Sequence, residues 1–264
     1  MIPQLRQELL LKIARENGFV SIPKTAQQLG ISVETLRRDI NGLCQKELLR
    51  KVHGGAVPSK APLVKSGRQA VIVPQSQHSK IAIAKAAAAL IRDGSVISLD
   101  GSDITLAMVP FITEGIDVTY VVNSLSLGIA LQDRINAGEL QGNVVMTGGN
   151  IAHGNYRALN SMALHTLEMF YYDLVFLTCV AISADCVSHT ATNPSVYAQR
   201  MMRRSSASIL LVDSNRLGKE SVRDFAKPGD FDRIITDNQN PIPADLQKVL
   251  NDAGTALTIV SCKP

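Results

Sequence analysis

Several features that would signal cross-links, metal sites or membranes are missing from this 264-residue sequence. It has four cysteines, no tryptophan and only 4% aromatic residues. The cysteines form no CxxC pair and show no Cys/His spacing typical of zinc, so we predict no disulfide framework and no metal site.

The longest mainly apolar stretch, residues 81–91, is interrupted by Lys85 and is too short to cross a bilayer. The first residues lack the basic and apolar regions of a signal peptide. We therefore expect a cytoplasmic protein with reduced thiols, no cofactor and no membrane partner.

Charge is distributed unevenly along the chain. Hydrophobic residues make up 45% and charged residues 19%, which is typical of a globular protein with a substantial core. Residues 1–60 carry ten Lys or Arg and five acids, whereas the remainder is close to neutral. A basic module joined to a neutral body predicts a polyanionic partner for the first part only.

Apolar residues recur at helical spacing near the start and predict three helices. The first covers residues 5–16, and the second follows Ser21 as a possible cap and ends at Gly30. Ser32 then offers an N-cap for a third helix that runs to about residue 44. Four apolar residues repeat along this helix and are expected to face the core: Val33, Leu36, Ile40 and Leu43.

Two short helices separated by a glycine turn form the helix-turn-helix arrangement, whose second helix fits the DNA major groove. The stretch 48–56 follows as a predicted hairpin with a basic first strand, which would complete a winged helix-turn-helix. Two adjacent arginines such as Arg37 and Arg38, taken alone, more often mark a solvated helix face than a DNA contact, and we expect Asp39 to orient an arginine or to cap locally. The whole arrangement favours DNA binding. The predicted DNA-contacting residues are Ser32, Glu34, Thr35, Arg37, Arg38, Asn41, Arg50, Lys51 and His53.

Apolar strands alternate with helices in the larger part of the chain, and this order predicts a parallel sheet with helices on both faces. Seven strands are expected, the first near residue 96 and the last ending near residue 260. Ligands of such sheets bind beyond the carboxyl ends of the strands. Each residue there would alone suit a turn or a helix cap. The predicted effector-binding residues follow three different strands and are Asp100, Gly101, Ser102, Asp103, Asn123, Ser124, Gly148 and Gly149.

Residues 58–78 separate these two parts and contain several prolines without sustained periodicity. We therefore predict a DNA-binding domain at 1–57, a linker at 58–78, and an effector-binding and oligomerisation domain at 79–264.

The stretch from Ile31 to Ala56, ISVETLRRDINGLCQKELLRKVHGGA, resembles the helix-turn-helix of DeoR-family regulators of bacterial sugar metabolism. Glu47 departs from the family, which usually has glycine between the recognition helix and the wing. The residues at matching positions are Ser32, Thr35, Arg37, Arg38, Asp39, Arg50, His53, Gly54 and Gly55.

The resemblance continues through the larger domain, at landmarks that include Asp100, Asn123, Gly148, Asp213 and Asp237. It implies an α/β sensor domain similar to ribose-5-phosphate isomerase, and a phosphorylated sugar that releases a repressor from its operator.

The chain departs from the family at two places in this domain. In the phosphate-binding loop, Asp103 and Ile104 replace hydroxyl residues. Further along, Ser183 and Ala198 stand where the family has an aspartate and a lysine. An isomerase would use these two groups for proton transfer and for substrate charge, so their loss argues against catalysis.

Three hypotheses follow. The leading one is a DNA-binding repressor of a carbohydrate-utilisation operon, at least dimeric and released by a small sugar or sugar phosphate. The second is a sugar-phosphate enzyme with a DNA-binding appendage, which the missing acid–base groups disfavour. The third is a regulator whose sensor has drifted and binds a non-phosphorylated ligand or none.

Overall fold

A computed structural model describes residues 3–17, 20–46, 48–52, 55–58, 77–113, 116–151 and 156–262. The chain divides into two compact units, and within these ranges the first unit holds residues 3–58 and residue 77, and the second holds 78–262. Most of the predicted linker, residues 59–76, lies outside the described residues. None of the described helices is long and apolar enough to cross a membrane.

The first unit combines three helices with a small antiparallel sheet. The strands are ordered β1-β3-β2, and β3 pairs with both neighbours. The elements are α1 (Pro3–Asn17), β1 (Val20–Ser21), α2 (Ile22–Leu29), α3 (Val33–Gln45), β2 (Leu49–Val52) and β3 (Gly55–Pro58). This arrangement confirms the winged helix-turn-helix that the sequence predicts.

Local sequence signals explain where these helices begin and end. Helix α2 ends at Gly30, which has a left-handed backbone with φ of +62°. The Ser32 hydroxyl caps α3 by accepting a hydrogen bond of 3.1 Å from the backbone N–H of Thr35. Ser21 stands at the N-cap position of α2 as predicted. Its expected role as a side-chain cap is wrong, because its side chain makes no capping hydrogen bond.

The core of this unit is built around the inner face of α3. Leu36, Ile40 and Leu43 are buried, together with Leu10 from α1. The prediction that Val33 also faces the core is wrong, since 41% of it is exposed. As the first residue of the helix, Val33 lies at the end of the apolar stripe and beyond the cluster of buried residues.

The second unit alternates strands and helices along the chain. Its elements are α4 (Gln77–Ala88), β4 (Val96–Leu99), α5 (Asp103–Met108), β5 (Val118–Val122), α6 (Leu125–Asn136), β6 (Gly142–Met146), α7 (Ser161–Glu168), β7 (Tyr172–Thr178), β8 (Ala181–Ile182), β9 (Val187–His189), α8 (Thr192–Arg203), β10 (Ser205–Leu211), β11 (Arg223–Ala226), β12 (Arg233–Asp237), α9 (Ala244–Ala253) and β13 (Ala256–Val260).

Seven of these strands form one parallel sheet, in the order β13-β12-β10-β7-β4-β5-β6. All seven predicted strands are present in it, so the predicted α/β fold class is confirmed. Successive side chains of a strand point to opposite faces. Accordingly, Tyr120 and Phe176 pack into one hydrophobic cluster with α4 to α6, whereas Val121 and Val175 pack into another with α7 to α9.

The sequence did not predict the second sheet of this unit. Strands β11, β9 and β8 form a three-stranded antiparallel sheet beyond the end of β7. Each strand has only two to four residues, which is too short for a period-two pattern to be recognised. This small sheet carries His189 at the end of β9.

Candidate functional site

The outer face of α3 presents the predicted DNA-contacting side chains to solvent. Because Leu36, Ile40 and Leu43 point inward, the helical period turns Arg37 and Arg38 outward. Their side chains are 60% and 80% exposed. The other predicted residues with exposed side chains are Ser32, Glu34 and Asn41.

A single carboxylate stands between the two arginines of this face. Glu34 lies 4.0 Å from the guanidinium groups of both Arg37 and Arg38. Exposed ion pairs of this kind contribute little free energy, because water and salt screen them. DNA phosphates can therefore replace Glu34 as the partner of either arginine at small cost.

Asp39 faces the interior and holds α1 against α3. Its carboxylate accepts hydrogen bonds of 2.6 and 3.2 Å from the guanidinium of Arg6, and only 6% of the residue is exposed. The bond to this carboxylate raises the pKa of Arg6 above its ordinary value. Asp39 therefore orients an arginine, as the sequence predicts, and that arginine lies on a different helix.

The remaining predicted contacts are in the wing and the helix cap. Lys51 is exposed on β2, and its neighbour Arg50 is half-buried, as expected for successive strand residues that face opposite sides. Thr35 is half-buried, and its hydroxyl lies 2.8 Å from that of Ser32. His53 lies outside the described residues.

In the second unit, the carboxyl ends of β4 to β7 meet around an ion pair between a buried carboxylate and a half-buried arginine. Asp100 follows β4 and is 3% exposed. One of its carboxylate oxygens pairs with the guanidinium of Arg157, and the other accepts a hydrogen bond of 2.8 Å from the hydroxyl of Thr178. The sequence predicts Asp100 at this edge, and the structure adds two partners from distant parts of the chain.

The loops after β4 and β5 approach each other closely at Gly101. Its backbone N–H donates a hydrogen bond of 3.1 Å to Oδ1 of Asn123. A Cβ atom at Gly101 would lie 2.7 Å from Cβ of Ser124 and 3.0 Å from Cγ of Arg157, so only glycine fits here. Gly101, Asn123 and Ser124 are thus brought together as the strand-end rule predicts.

Two members of the predicted set have other structural roles. Ser102 caps α5, since its hydroxyl accepts a hydrogen bond of 3.1 Å from the backbone N–H of Thr105. The carboxylate of Asp103 lies 3.0 Å from the ammonium of Lys80, and the Asp103 side chain is 78% exposed. The negative charge that the sequence places in this loop is therefore paired with a lysine on α4.

Gly148 and Gly149 form the turn that follows β6, and both have positive φ, +71° and +93°. A Cβ atom at Gly149 would collide with the side-chain amide of Asn160, which caps α7. The turn therefore brings the end of β6 against the start of α7.

Several buried or half-buried polar residues at or near these strand ends were missed by sequence reasoning. Thr147 and Thr178 follow or end strands, so the strand-end rule could have found them. Arg157, His189 and Tyr197 had no local signal, because each is an isolated polar residue in an irregular segment, a short strand or a helix.

Burial shifts the ionisation of two of these missed residues. It lowers the pKa of His189 to about 4, an effect that Asp100 opposes and Arg157 and Arg216 reinforce. It raises the pKa of Tyr197 well above the ordinary value, as does Asp100, whereas Arg157 and the hydroxyl of Thr147 lower it. Both side chains are therefore neutral at pH 7 and lie near the Asp100–Arg157 pair.

A basic helix-turn-helix unit and a parallel-sheet unit with a polar site at its strand ends define a DNA-binding regulator with a sensor domain. A model of the DeoR-like helix-turn-helix domain matches residues 6–61, and a model of the DeoR C terminal sensor domain matches residues 75–238. The chain belongs to the DeoR family of transcriptional regulators.

Curated relatives match almost the full length of the chain. The L-fucose operon activator of Haemophilus influenzae is 30% identical over 249 residues, which cover 92% of this chain and 94% of that protein. The HTH-type transcriptional regulator GolR of Listeria innocua is 26% identical over 98% of this chain and 99% of its own. The lactose phosphotransferase system repressor of Lactococcus lactis is 28% identical over 89% and 91%. The family and these relatives are transcriptional regulators and not enzymes, which confirms the regulator hypothesis over the enzyme hypothesis.

Solved structures share only part of the architecture. Ribose 5-phosphate isomerase A from Methanocaldococcus jannaschii superposes with a TM-score of 0.37 at 14% identity, covering 52% of this chain and 53% of that chain. The translation initiation factor eIF-2B of Pyrococcus horikoshii gives a TM-score of 0.39 at 13% identity, covering 60% and 62%. These partial superpositions say nothing about activity.

Proposed function

We propose that this protein is a cytoplasmic repressor of a carbohydrate-utilisation operon, released from its operator by a small sugar or sugar-phosphate effector. Residues 1–57 bind the operator, residues 58–78 link the domains, and residues 79–264 bind the effector and hold at least two copies together. The names of the relatives support the carbohydrate assignment, since they include a fucose operon activator and a lactose phosphotransferase system repressor.

The observation that carries the DNA-binding part is the solvent-facing pair Arg37 and Arg38 on a capped α3. An arginine in the major groove can donate two hydrogen bonds to one guanine, and such a contact discriminates by about 1–3 kcal/mol. Lys51 on the wing holds a phosphate and carries no sequence preference. A two-fold symmetric dimer then requires two half-sites separated by about one helical turn or a multiple of it.

Footprinting of the full-length protein on the DNA upstream of its own gene tests this assignment. We expect Arg37→Ala and Arg38→Ala each to weaken protection by about tenfold or more, since each removes a base contact of the size given above. Lys51→Ala should weaken binding equally for specific and random DNA and should reduce the salt dependence by about one released ion. Lys248→Ala, an exposed lysine on α9, is the matched control and should leave protection unchanged. Unchanged protection in both arginine variants would contradict the proposed contacts.

The effector part of the proposal involves the residues that follow β4, β5 and β6: Asp100, Gly101, Ser102, Asp103, Asn123, Ser124, Gly148 and Gly149. A thermal-shift screen of the full-length protein with sugars and sugar phosphates would identify a ligand, because binding to the folded state alone raises the melting temperature. Any hit should then release the protein from its operator. A ligand that raises the melting temperature and leaves operator affinity unchanged would contradict its role as the inducer.

A further inference from the structure

We propose that the effector is a neutral polyhydroxylated molecule, a free sugar or sugar alcohol, and that its hydroxyl groups bind Asn123, Thr147, Arg157 and Tyr197. This inference rests on the proposed sensor function and specifies the chemical class of the ligand.

Several buried polar atoms at the strand ends have no hydrogen-bond partner among the described residues, and four of them lie near the Asp100–Arg157 pair. They are Nδ2 of Asn123, Oγ1 of Thr147, Nε of Arg157 and the phenolic oxygen of Tyr197. Buried polar groups are nearly always hydrogen-bonded, and leaving one without a partner destabilises the folded state. Four such atoms in one region indicate that a polar ligand completes the site.

These four residues converge although they come from different elements. Asn123 contacts Gly101 through its other amide atom, and the stem of Arg157 lies against the same glycine. Tyr197, on α8, is near enough to Asp100, Arg157 and Thr147 for each of them to affect its ionisation. The unpartnered groups thus surround the Asp100–Arg157 pair.

The cationic side chains at this edge of the sheet already have partners. Arg157 is paired with Asp100, and Lys80 is paired with Asp103. Arg216 donates to the carbonyl oxygen of Cys179 and lies close enough to Asp213 to lower the pKa of that carboxyl, which burial raises. Lys219 donates to a backbone carbonyl, and burial keeps His189 neutral at pH 7.

A phosphate ester does not match this charge distribution. It would bring a dianion next to the buried carboxylate of Asp100, or it would take Arg157 away and leave that carboxylate without its cation. A hydroxyl group can both donate and accept, so it can bind an amide or guanidinium N–H and a Thr or Tyr hydroxyl alike. A polyol therefore satisfies all four atoms and leaves the ion pair intact.

The test uses the full-length protein and a panel of free pentoses, hexoses and their alcohols, each next to its own monophosphate at equal concentration. We expect at least one free member to raise the melting temperature and its monophosphate to raise it less or not at all. A panel in which only phosphates cause a shift, or in which no member does, would overturn the inference.

Two conservative variants test the site itself. Tyr197→Phe and Thr147→Val each remove a buried hydroxyl whose nearest possible partner is the hydroxyl of the other residue, so the melting temperature without ligand should change little. Each should nevertheless raise the dissociation constant of the ligand found in the screen by about tenfold, as measured by calorimetry. That change corresponds to the free energy of one or two lost hydrogen bonds.

Tyr120→Phe is the matched control, because Tyr120 also has a buried unpartnered hydroxyl but lies within β5 and has Arg134 as its neighbouring charge. It should leave the dissociation constant unchanged. Unchanged affinity in both test variants would mean that only water fills the site, and the inference would fail.

Operator binding, measured on the same preparations, distinguishes a failure of the proposed ligand class from a failure of the proposed function. Intact operator binding without any response to free sugars refutes the ligand class alone. Lack of operator binding refutes the proposed function.

Discussion

His189 should make the stability of the second unit fall steeply in mildly acidic solution. It ends β9, is 6% exposed and stacks on Phe225 with ring centroids 4.8 Å apart. Burial lowers its pKa to about 4 from the ordinary value of 6.5, opposed by Asp100 and reinforced by Arg157 and Arg216. The folded protein therefore resists protonating this ring.

The sign and size of the effect follow from proton linkage. Above pH 6.5 the imidazole is neutral in both the folded and the unfolded chain, so it adds no pH dependence. Below that value the unfolded chain takes up a proton that the folded protein refuses until about pH 4. The free energy of unfolding therefore falls as the pH falls through this interval. At 1.36 kcal/mol per pH unit, the loss amounts to about 3 kcal/mol.

Urea unfolding of the full-length protein at several values between pH 7 and pH 4, compared with His189→Phe, measures this loss. Phenylalanine keeps a ring for the stack with Phe225 and has no titrating group. The free-energy difference between the two proteins should shift by about 3 kcal/mol in favour of the variant as the pH falls. His165→Gln, which changes an exposed histidine on α7, should run parallel to the unchanged protein. The reasoning would be refuted if the free-energy difference between His189→Phe and the unchanged protein stayed constant across this pH range.

Three further predictions concern stability. Ser32→Ala removes the hydroxyl that accepts the hydrogen bond from the Thr35 backbone N–H, and it should lower the stability of the first unit by about 1 kcal/mol. Ser32→Asp should keep the cap but weaken DNA binding by charge repulsion. Equal melting temperatures for the alanine variant and the unchanged protein would argue against the cap. Leu36→Ala should lower the stability of the first unit by about 2–5 kcal/mol and abolish operator binding. Ligand-induced shifts in the melting temperature of the second unit should remain. Retained operator binding would contradict this prediction. Arg157→Met should destabilise the second unit by about 3–5 kcal/mol, because Asp100 then lies buried without its cation. Adding Asp100→Asn should restore most of this loss, and chemical denaturation of both variants measures it. A double variant as unstable as Arg157→Met would contradict a stabilising role of the ion pair.

Much of the fold follows from local patterns in the sequence. Apolar residues at a spacing of 3.6 predict α3, and short apolar runs that end in polar loops predict all seven strands of the large sheet. The antiparallel sheet of β8, β9 and β11 was missed, because two to four residues hold too little pattern. The exposure of Val33 was missed for a related reason, since periodicity does not say where the neighbouring elements stop covering a helix.

The candidate effector site was predicted only in part. The strand-end rule brought Asp100, Gly101 and Asn123 together, since carboxyl ends of neighbouring parallel strands share one edge. The same rule treated Asp103 as part of the pocket, and only the structure shows it paired with Lys80.

The sequence by itself determined that a basic winged helix-turn-helix precedes a parallel α/β domain, because caps, glycine turns and side-chain periods act over a few residues. Only the tertiary structure decided the strand order and the partners of the buried charges. Asp100 meets Arg157 across 57 residues and Thr178 across 78. Such pairs depend on how the strands are ordered in the sheet, and strand order is set by the packing of the whole domain rather than by any local run of residues.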